Sequence, residues 1–319
     1  MKIEQISIVV PCFNEELALP FFYAALEETR KNLKQADIEY IFIDDGSKDQ
    51  TLNTLKKFAA QDTKRVHYLS FSRNFGKEAA LIAGLQYATG DYIAVMDADL
   101  QDPPELLPEM LELLRTKEYD CVGTRRITRN GEPPIRSFFA NCFYRLMNRI
   151  SDTEFVDGAR DYRLMTRRMV EAVLSLDEVN RFSKGIFSWV GFETYYLPYE
   201  NKERVAGKTS WSFWGLFNYS LEAIINFSEF PLTFASFIGL FSFLAAIFFL
   251  LFIVVRALIF GDPTAGWPSL VTIMLAVGGL QLFCLGIVGK YLGKTYLETR
   301  RRPLYILKET DQTEKEKKQ

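Results

Sequence analysis

Tyr92-Ile93-Ala94-Val95-Met96-Asp97-Ala98-Asp99-Leu100-Gln101-Asp102-Pro103-Pro104 decides how the rest of the chain is read. An apolar run of strand length ends in two carboxylates one residue apart, and the Pro103-Pro104 pair stops the strand. Side chains of a strand alternate with a period of two, so Asp97 and Asp99 are expected to leave its end on the same side. Converging carboxylates repel unless a cation lies between them. Carboxylate oxygens, waters and a substrate phosphate are the ligands that Mg²⁺ or Mn²⁺ prefers. The alternative is an acidic turn leading into the next helix, and the residues around the stretch weigh against it.

The chain has 319 residues and a formal net charge of −2, a balance that gives no reason to expect a nucleic-acid partner. Its four cysteines, Cys12, Cys121, Cys142 and Cys284, lack metal-ligand spacing and read as reduced thiols. A single histidine, His67, excludes Ser-His-Asp triads and His-rich metal sites. It stands in a strand-like run and is expected to be structural. The N-terminus carries charge where an export signal needs its apolar core.

Residues 1–125 alternate strand-like and helix-like segments. Strands are expected at Ile6–Val10, Ile38–Ile43, Val66–Phe71, Tyr92–Met96 and Asp120–Gly123. Helices are expected at Glu15–Leu33, Asp49–Ala60, Glu78–Ala88 and Glu105–Lys117. Such alternation predicts an α/β fold with a mostly parallel, Rossmann-like sheet covered on both faces. Ligands of these sheets bind at the carboxyl ends of the strands. Here those ends carry Glu15, Asp45, Arg73, Asp97, Asp99 and Arg125, so that edge is the candidate site. No Gly-rich dinucleotide turn follows the first strand and no P-loop sequence occurs, so phosphate must be neutralised by a metal and arginine instead. From 126 to 210 the pattern loosens, with a helix expected at Pro133–Ile150 that suits either a core or a membrane surface.

Three motifs, Val10-Pro11-Cys12-Phe13-Asn14-Glu15, Ile43-Asp44-Asp45-Gly46-Ser47 and Asp97-Ala98-Asp99-Leu100-Gln101-Asp102-Pro103-Pro104-Glu105, together resemble the family 2 inverting glycosyltransferases of the glycosyltransferase-A fold. Within them the chain is similar to the polyprenyl-phosphate type, of which dolichyl-phosphate mannose synthases and bactoprenol glucosyltransferases are examples. Ser72-Arg73-Asn74-Phe75-Gly76-Lys77, Asp161-Tyr162-Arg163-Leu164-Met165, Gly185–Phe192 and Arg302-Pro303-Leu304-Tyr305 favour the bacterial branch.

The resemblance implies a set of site residues. Pro11, Phe13, Glu15 and Asp45 would hold the uridine, with Ile43 and Ala98 beside them and Asp45 accepting from the uracil ring N–H. Asp97, Asp99 and Gln101 would hold Mg²⁺ or Mn²⁺. Arg125 would bind the diphosphate together with Arg204, Lys208 and Ser210, which lie in a basic, Gly-hinged lid at 201–210. Asp161 would stand beside the acceptor as candidate base, with Arg163 next to it. An ion pair of Asp161 with Arg160, Arg163 or Arg167 is the structural alternative, and Arg160 stands where family members commonly have Gly.

Trp211–Glu229 interleaves Trp and Phe with polar residues at helical spacing and reads as an amphipathic helix in the bilayer interface. Leu232–Val255 and Ser269–Val288 are each long enough to cross a hydrocarbon core of ~30 Å, which takes ~20 helical residues. The connection at 261–268 has no Lys or Arg, whereas both outer flanks are basic. This charge pattern puts a multi-pass protein in the plasma membrane, both termini in the cytoplasm and the short loop outside. The Gly289-x-x-x-Gly293 step suits helix packing within a protomer or between protomers of a homo-oligomer. The expected organisation is a cytoplasmic catalytic domain at 1–210, an interfacial helix at 211–230, a two-helix anchor at 231–295 and a cytoplasmic tail at 296–319.

The resemblance implies transfer of a sugar, glucose or N-acetylglucosamine, from a UDP-sugar to undecaprenyl phosphate on the cytoplasmic face, with inversion at the anomeric carbon, for cell-surface polysaccharide decoration. A processive polysaccharide synthase is one alternative, weakened by the absence of an Arg-Trp pair. A non-catalytic membrane scaffold is another, weakened by the complete set of acidic and basic site residues.

Overall fold

The computed structural model describes residues 3–33, 36–127, 134–151, 153, 155–200, 224–260 and 266–311. The apolar runs of the N-terminal half become β1 (Glu4–Cys12), β2 (Ala36–Asp44), β3 (Val66–Phe71), β4 (Tyr92–Val95) and β5 (Cys121–Arg126). Between them stand α1 (Leu19–Asn32), α2 (Thr51–Gln61), α3 (Lys77–Tyr87) and, after a 3-10 turn at Pro104–Leu106, α4 (Leu107–Thr116). β2 and β4 flank β1 in parallel, and β3 pairs in parallel with β2. Period-two alternation divides β1 and β2 between two cores. Ile6, Ile8, Val10, Tyr40 and Phe42 pack with Phe22 and Leu26 of α1, whereas Val9, Ile41 and Ile43 pack with Ala80 and Ala83 of α3. Burial on both faces is why these strands read as unbroken apolar runs.

The second half supplies α5 (Pro134–Ile150), β6 (Ala159–Thr166), α6 (Arg167–Leu174), α7 (Ser183–Trp189) and β7 (Thr194–Tyr199). β6 inserts antiparallel between β4 and β5, and β7 runs parallel to β5. The full sheet order is β7-β5-β6-β4-β1-β2-β3-β8. Its parallel centre, helix-covered, is the α/β arrangement that the sequence predicts.

β8 (Leu307–Thr310) lies antiparallel on β3 and is the last strand of the sheet. Tyr305 stacks on Phe71 with ring centroids 4.9 Å apart, His67 Nδ1 lies 2.8 Å from Asp311 Oδ2, and Lys56 pairs with Glu309 at 2.8 Å. Reading 296–319 simply as a tail overlooks this strand. A four-residue strand of mixed polarity is too short for a periodic signal.

Between β7 and β8 in the chain come two long helices, α8 (Phe230–Phe260) and α9 (Trp267–Thr299). Phe230–Phe249 and Ala276–Thr299 within them are long and apolar enough to cross a membrane. Large apolar side chains point outward, with Phe237 66%, Phe241 75% and Leu282 71% exposed. An apolar surface this continuous is disfavoured in water and suits a bilayer, so the two helices give the chain its membrane association. The end of α9 returns to the α/β unit, where the Glu298 carboxylate accepts from the backbone N–H groups of Val179 and Asn180 at 2.9–3.0 Å. A Cβ built on Gly289 or Gly293 meets nothing within 4 Å, so among the described residues no neighbouring helix packs on that step. The interfacial helix expected at 211–229 falls mostly outside the described residues, as do 261–265 of the connection.

Candidate active site

The D-x-D turn follows directly from the end of β4. The strand stops at Val95, earlier than Tyr92–Met96 implies, so its period of two does not carry through to the carboxylates. Asp99 is buried and its Oδ1 accepts from Gln101 N at 3.1 Å, closing a local side-chain turn. Leu100 adopts φ +57°, a left-handed conformation that costs a bulky residue roughly 1–2 kcal/mol and gathers at functional turns. Asp97 is met by Lys77.

Lys77 begins α3, and its Nζ lies 2.6 Å from Asp97 Oδ1 and 2.5 Å from Asp161 Oδ2. Lys77 thus joins Asp97 to Asp161 across the site. Three elements build this cluster, namely the β4 turn, the start of α3 and β6. Burial alone would raise the Asp161 carboxyl. Lys77, with Lys184 and Arg163 nearby, overrides burial and holds it well below the usual carboxylate range. Desolvation would lower the Lys77 ammonium, and the two carboxylates instead raise it. Lys77 was legible as part of a motif but not as a site residue. Its signal is a lysine in the first turn of a helix, where the macrodipole disfavours positive charge, at the ligand-binding edge of the sheet.

The arginines near Asp161 have other partners. Arg160 Nε donates to Asp102 Oδ1 at 3.0 Å and its Nη2 to Gln101 Oε1 at 3.2 Å. Tyr199 Oη also donates to Asp102 Oδ1, whereas the buried Asp102 Oδ2 has no hydrogen-bond partner among the described residues. Burial pushes the Asp102 carboxyl up, against the pull of Arg160. Arg163 is buried, donates to the backbone carbonyls of Asp161 and Arg160, and lies 3.9 Å over the Phe187 ring. Arg167 holds the carbonyls of Gly90 and Ala88. Asp161 is ion-paired, as the structural alternative had it, but with Lys77 and not with an arginine.

Asp97, Asp99 and Gln101 offer only oxygen donors, which fits a hard divalent cation in kind. Among the described residues, no three His, Cys, Asp or Glu side chains converge as a metal cage does. Lys77 contacts both Asp97 oxygens, and the Gln101 side-chain oxygen accepts from Arg160. A cation at this edge must therefore compete with two basic side chains of the protein.

The other edge residues divide into exposed and buried. Phe13 is 43% exposed at the end of β1, an apolar ring open to a ligand, while Pro11 and Glu15 are partly buried near it. Asp45 is buried, and its two oxygens accept from the backbone N–H groups of Phe75 and Gly76 at 2.6 and 2.9 Å. Burial raises its pKa above the ordinary carboxylate value in spite of these bonds. Gly46 next to it has φ +67°, and a Cβ there would lie 2.4 Å from the Arg73 carbonyl carbon, so only glycine lets the loops after β2 and β3 touch. The Ile43 and Ala98 side chains are buried. Ile43 packs against Gly84 of α3, which leaves its backbone, not its side chain, for the edge. Arg125 is exposed and its Nε donates to Asp157 O at 2.9 Å. Arg204, Lys208 and Ser210 fall outside the described residues. Behind β6 a cavity of about 50 Å³ combines the aromatic rings of Phe143, Phe155 and Phe182 with Arg163 and Lys184.

Comparison with known proteins follows the same lines. Residues 7–174 match the family described as "Glycosyl transferase family 2". The chain is 43% identical over 304 residues to the "Prophage bactoprenol glucosyl transferase homolog" of Escherichia coli (strain K12), covering 95% of this chain and 98% of that one. It is also 43% identical over 310 residues to the "Bactoprenol glucosyl transferase" of Shigella phage SfV, at 97% and 99% coverage. Among solved structures, mannosyl-3-phosphoglycerate synthase from Rubrobacter xylanophilus superposes with a TM-score of 0.47 at 16% identity, over 69% of this chain and 72% of that one. A likeness that partial carries no argument about chemistry.

Proposed function

The chain belongs to glycosyl transferase family 2, and on that premise we propose that it moves glucose or N-acetylglucosamine from a UDP-sugar to undecaprenyl phosphate, with inversion at the anomeric carbon, to decorate cell-surface polysaccharide. The observation that carries this reading is end-to-end similarity to bactoprenol glucosyl transferases, membrane helices included. A processive synthase or a scaffold gains no comparable support.

The uridine lies along Pro11, Phe13 and Glu15. Because the oxygens of Asp45 already accept two backbone N–H groups, Asp45 shapes the base pocket at least as much as it contacts the base. Arg125 meets the diphosphate, with Arg204, Lys208 and Ser210 from the neighbouring lid. Held by Asp97, Asp99 and Gln101, Mg²⁺ or Mn²⁺ would supply charge neutralisation for the departing UDP.

The acceptor needs little help in losing a proton. A phosphomonoester has a second pKa of about 6 and is largely dianionic at neutral pH. Lys77 holds the Asp161 carboxyl well below the usual carboxylate range, which suits it to orienting the reactants through Lys77 more than to accepting a proton. The acceptor phosphate is met by Arg163 and Lys184 at the aromatic cavity, whose rings receive the first isoprene units. The catalytic domain and both termini face the cytoplasm, and protomers associate through the membrane helices.

The test uses purified full-length protein and transfer of radiolabel from a panel of UDP- and GDP-sugars into the organic phase. Undecaprenyl phosphate is expected to be labelled from UDP-glucose or UDP-N-acetylglucosamine, and undecaprenol to stay inert. Comparable labelling of the alcohol and the phosphate would overturn the reading.

A further inference from the structure

A second basic site lies away from the catalytic cluster, where α9 meets the α/β unit. A cleft of about 480 Å³ is lined by Asn180, Arg181, Asn226, Lys290, Lys294 and Leu297, together with Gly293. Lys290 and Lys294 are one helical turn apart and share a face of α9. Lys294 Nζ is fixed in the wall by donating to Asn226 Oδ1 at 2.5 Å, and Asn226 in turn donates to Asn180 O at 3.1 Å. Lys290 is exposed. Arg181 contributes a third cation; its Nη1 and Nη2 hold the carbonyls of Leu176 and Val173, and its Nε is buried with no hydrogen-bond partner among the described residues. Of the nearby carboxylates, Glu178, Glu78 and Asp177 act on Arg181, and Glu298 accepts from the backbone N–H groups of Val179 and Asn180 and from Asn180 Nδ2.

We propose that this cleft binds the phosphate of a membrane lipid, with the lipid's chain lying along α9. Three cations converge there with two carboxamides, which is the chemistry of a phosphate site. Position supplies the lipid. Lys290 and Lys294 lie in the C-terminal part of the Ala276–Thr299 stretch, the end that returns to the α/β unit through Glu298, so the cleft opens on the polar side of the bilayer, where Arg and Lys residues attract anionic lipid. Gly286 and Gly293 share the lysines' side of α9, and a Cβ built on either meets nothing within 4 Å. They leave a shallow furrow leading from the cleft into the hydrocarbon layer. The site does not depend on the donor or acceptor assigned above, but it does rest on α9 being in the bilayer.

The experiment measures lipid retained by the full-length protein, purified in neutral detergent, by native mass spectrometry. Phosphatidylglycerol, phosphatidylcholine, undecaprenyl phosphate and glycerol phosphate are supplied in turn. Retention of phosphatidylglycerol or undecaprenyl phosphate well above phosphatidylcholine is expected, and the stronger of the two identifies the lipid. At ~1 kcal/mol per basic residue at the surface, Lys290→Gln should weaken retention about fivefold and Lys290→Gln/Lys294→Gln more than tenfold. Lys290 is exposed, so the single variant tests the site without disturbing the fold. Equal retention of phosphatidylglycerol, phosphatidylcholine and undecaprenyl phosphate, undiminished retention by Lys290→Gln, or glycerol phosphate bound as well as the lipids would overturn the proposal. Protein that floats with pure phosphatidylcholine vesicles yet shows no such preference removes the site and leaves the membrane reading standing.

Discussion

Replacing Lys77 by Gln removes the one ammonium that joins Asp97 to Asp161 while keeping a side chain of similar length. Two opposite effects follow. The first concerns the metal. Lys77 Nζ lies 2.6 Å from Asp97 Oδ1 with the lysine side chain 41% exposed, so water screens the pair. Coulomb's law at the dielectric constant of water gives about 1.6 kcal/mol at that separation, and roughly 1.4 kcal/mol is tenfold in an equilibrium constant. A divalent cation that no longer competes with this ammonium should bind about tenfold tighter. The second effect concerns turnover. Asp161 loses the partner that fixes it, and an error in position of about 1 Å can cost on the order of 10²-fold in rate. The assay is transfer of radiolabel from UDP-glucose to undecaprenyl phosphate across a Mn²⁺ titration, with Lys77→Arg as the charge-retaining control. The variant should reach half-maximal activity at lower Mn²⁺ and have a much lower kcat. Acid tolerance should narrow as well. The depressed Asp161 carboxyl contributes stability that is present above the ordinary carboxylate pKa of about 3.9 and lost as pH falls through its lower folded value. An unchanged Mn²⁺ midpoint with kcat within twofold of wild type would refute the reasoning and reduce Lys77 to a surface ion pair.

Three further outcomes are expected. Asp99→Asn should lower kcat by at least about 10²-fold without releasing the protein from the membrane, since a metal's stabilisation of transition-state charge is worth several kcal/mol; activity within tenfold of wild type sinks the metal assignment. Thr264→Cys, in a background without native cysteines, should react with an impermeant thiol reagent in intact cells, and Lys315→Cys should not; the reverse pattern overturns the topology. Tyr305→Ala removes a half-buried ring stacked on Phe71 and a 2.7 Å hydrogen bond to Gln86. It should cost about 2 kcal/mol and lower Tm by roughly 5 °C in a thermal melt. An unchanged Tm would mean that the C-terminal strand is held by its backbone and the Lys56–Glu309 and His67–Asp311 pairs, without the ring.

What could be read in advance follows from signal strength. β1 to β4 are buried on both faces, so their apolar runs stand out, and the edge residues follow once the strands are parallel. β6 was invisible because Arg160, Asp161 and Arg163 interrupt it: it enters the sheet antiparallel, with its polar residues serving the site. β7 contains Pro198, which argues against a strand. The D-x-D stretch pointed to the edge of the sheet, but the contact of Asp97 with Lys77 and Asp161 was not legible in it. Alternation along a strand says nothing about a turn in which Leu100 is left-handed, and the basic partner of Asp97 comes from a helix far away in sequence.

The C-terminal strand has a consequence for how the protein is made. β8 covers the outer edge of β3, but the ribosome releases the β3 edge long before β8, and both membrane helices are synthesised in between. Until α8 and α9 have been inserted and the chain has come back, β3 presents unpaired N–H and C=O groups that can recruit another strand. Membrane insertion thus becomes a step in completing the α/β fold, and a fragment cut before Phe230 to obtain a soluble enzyme keeps that edge open for good. Such fragments should aggregate unless residues 304–311 are fused back or supplied as a peptide.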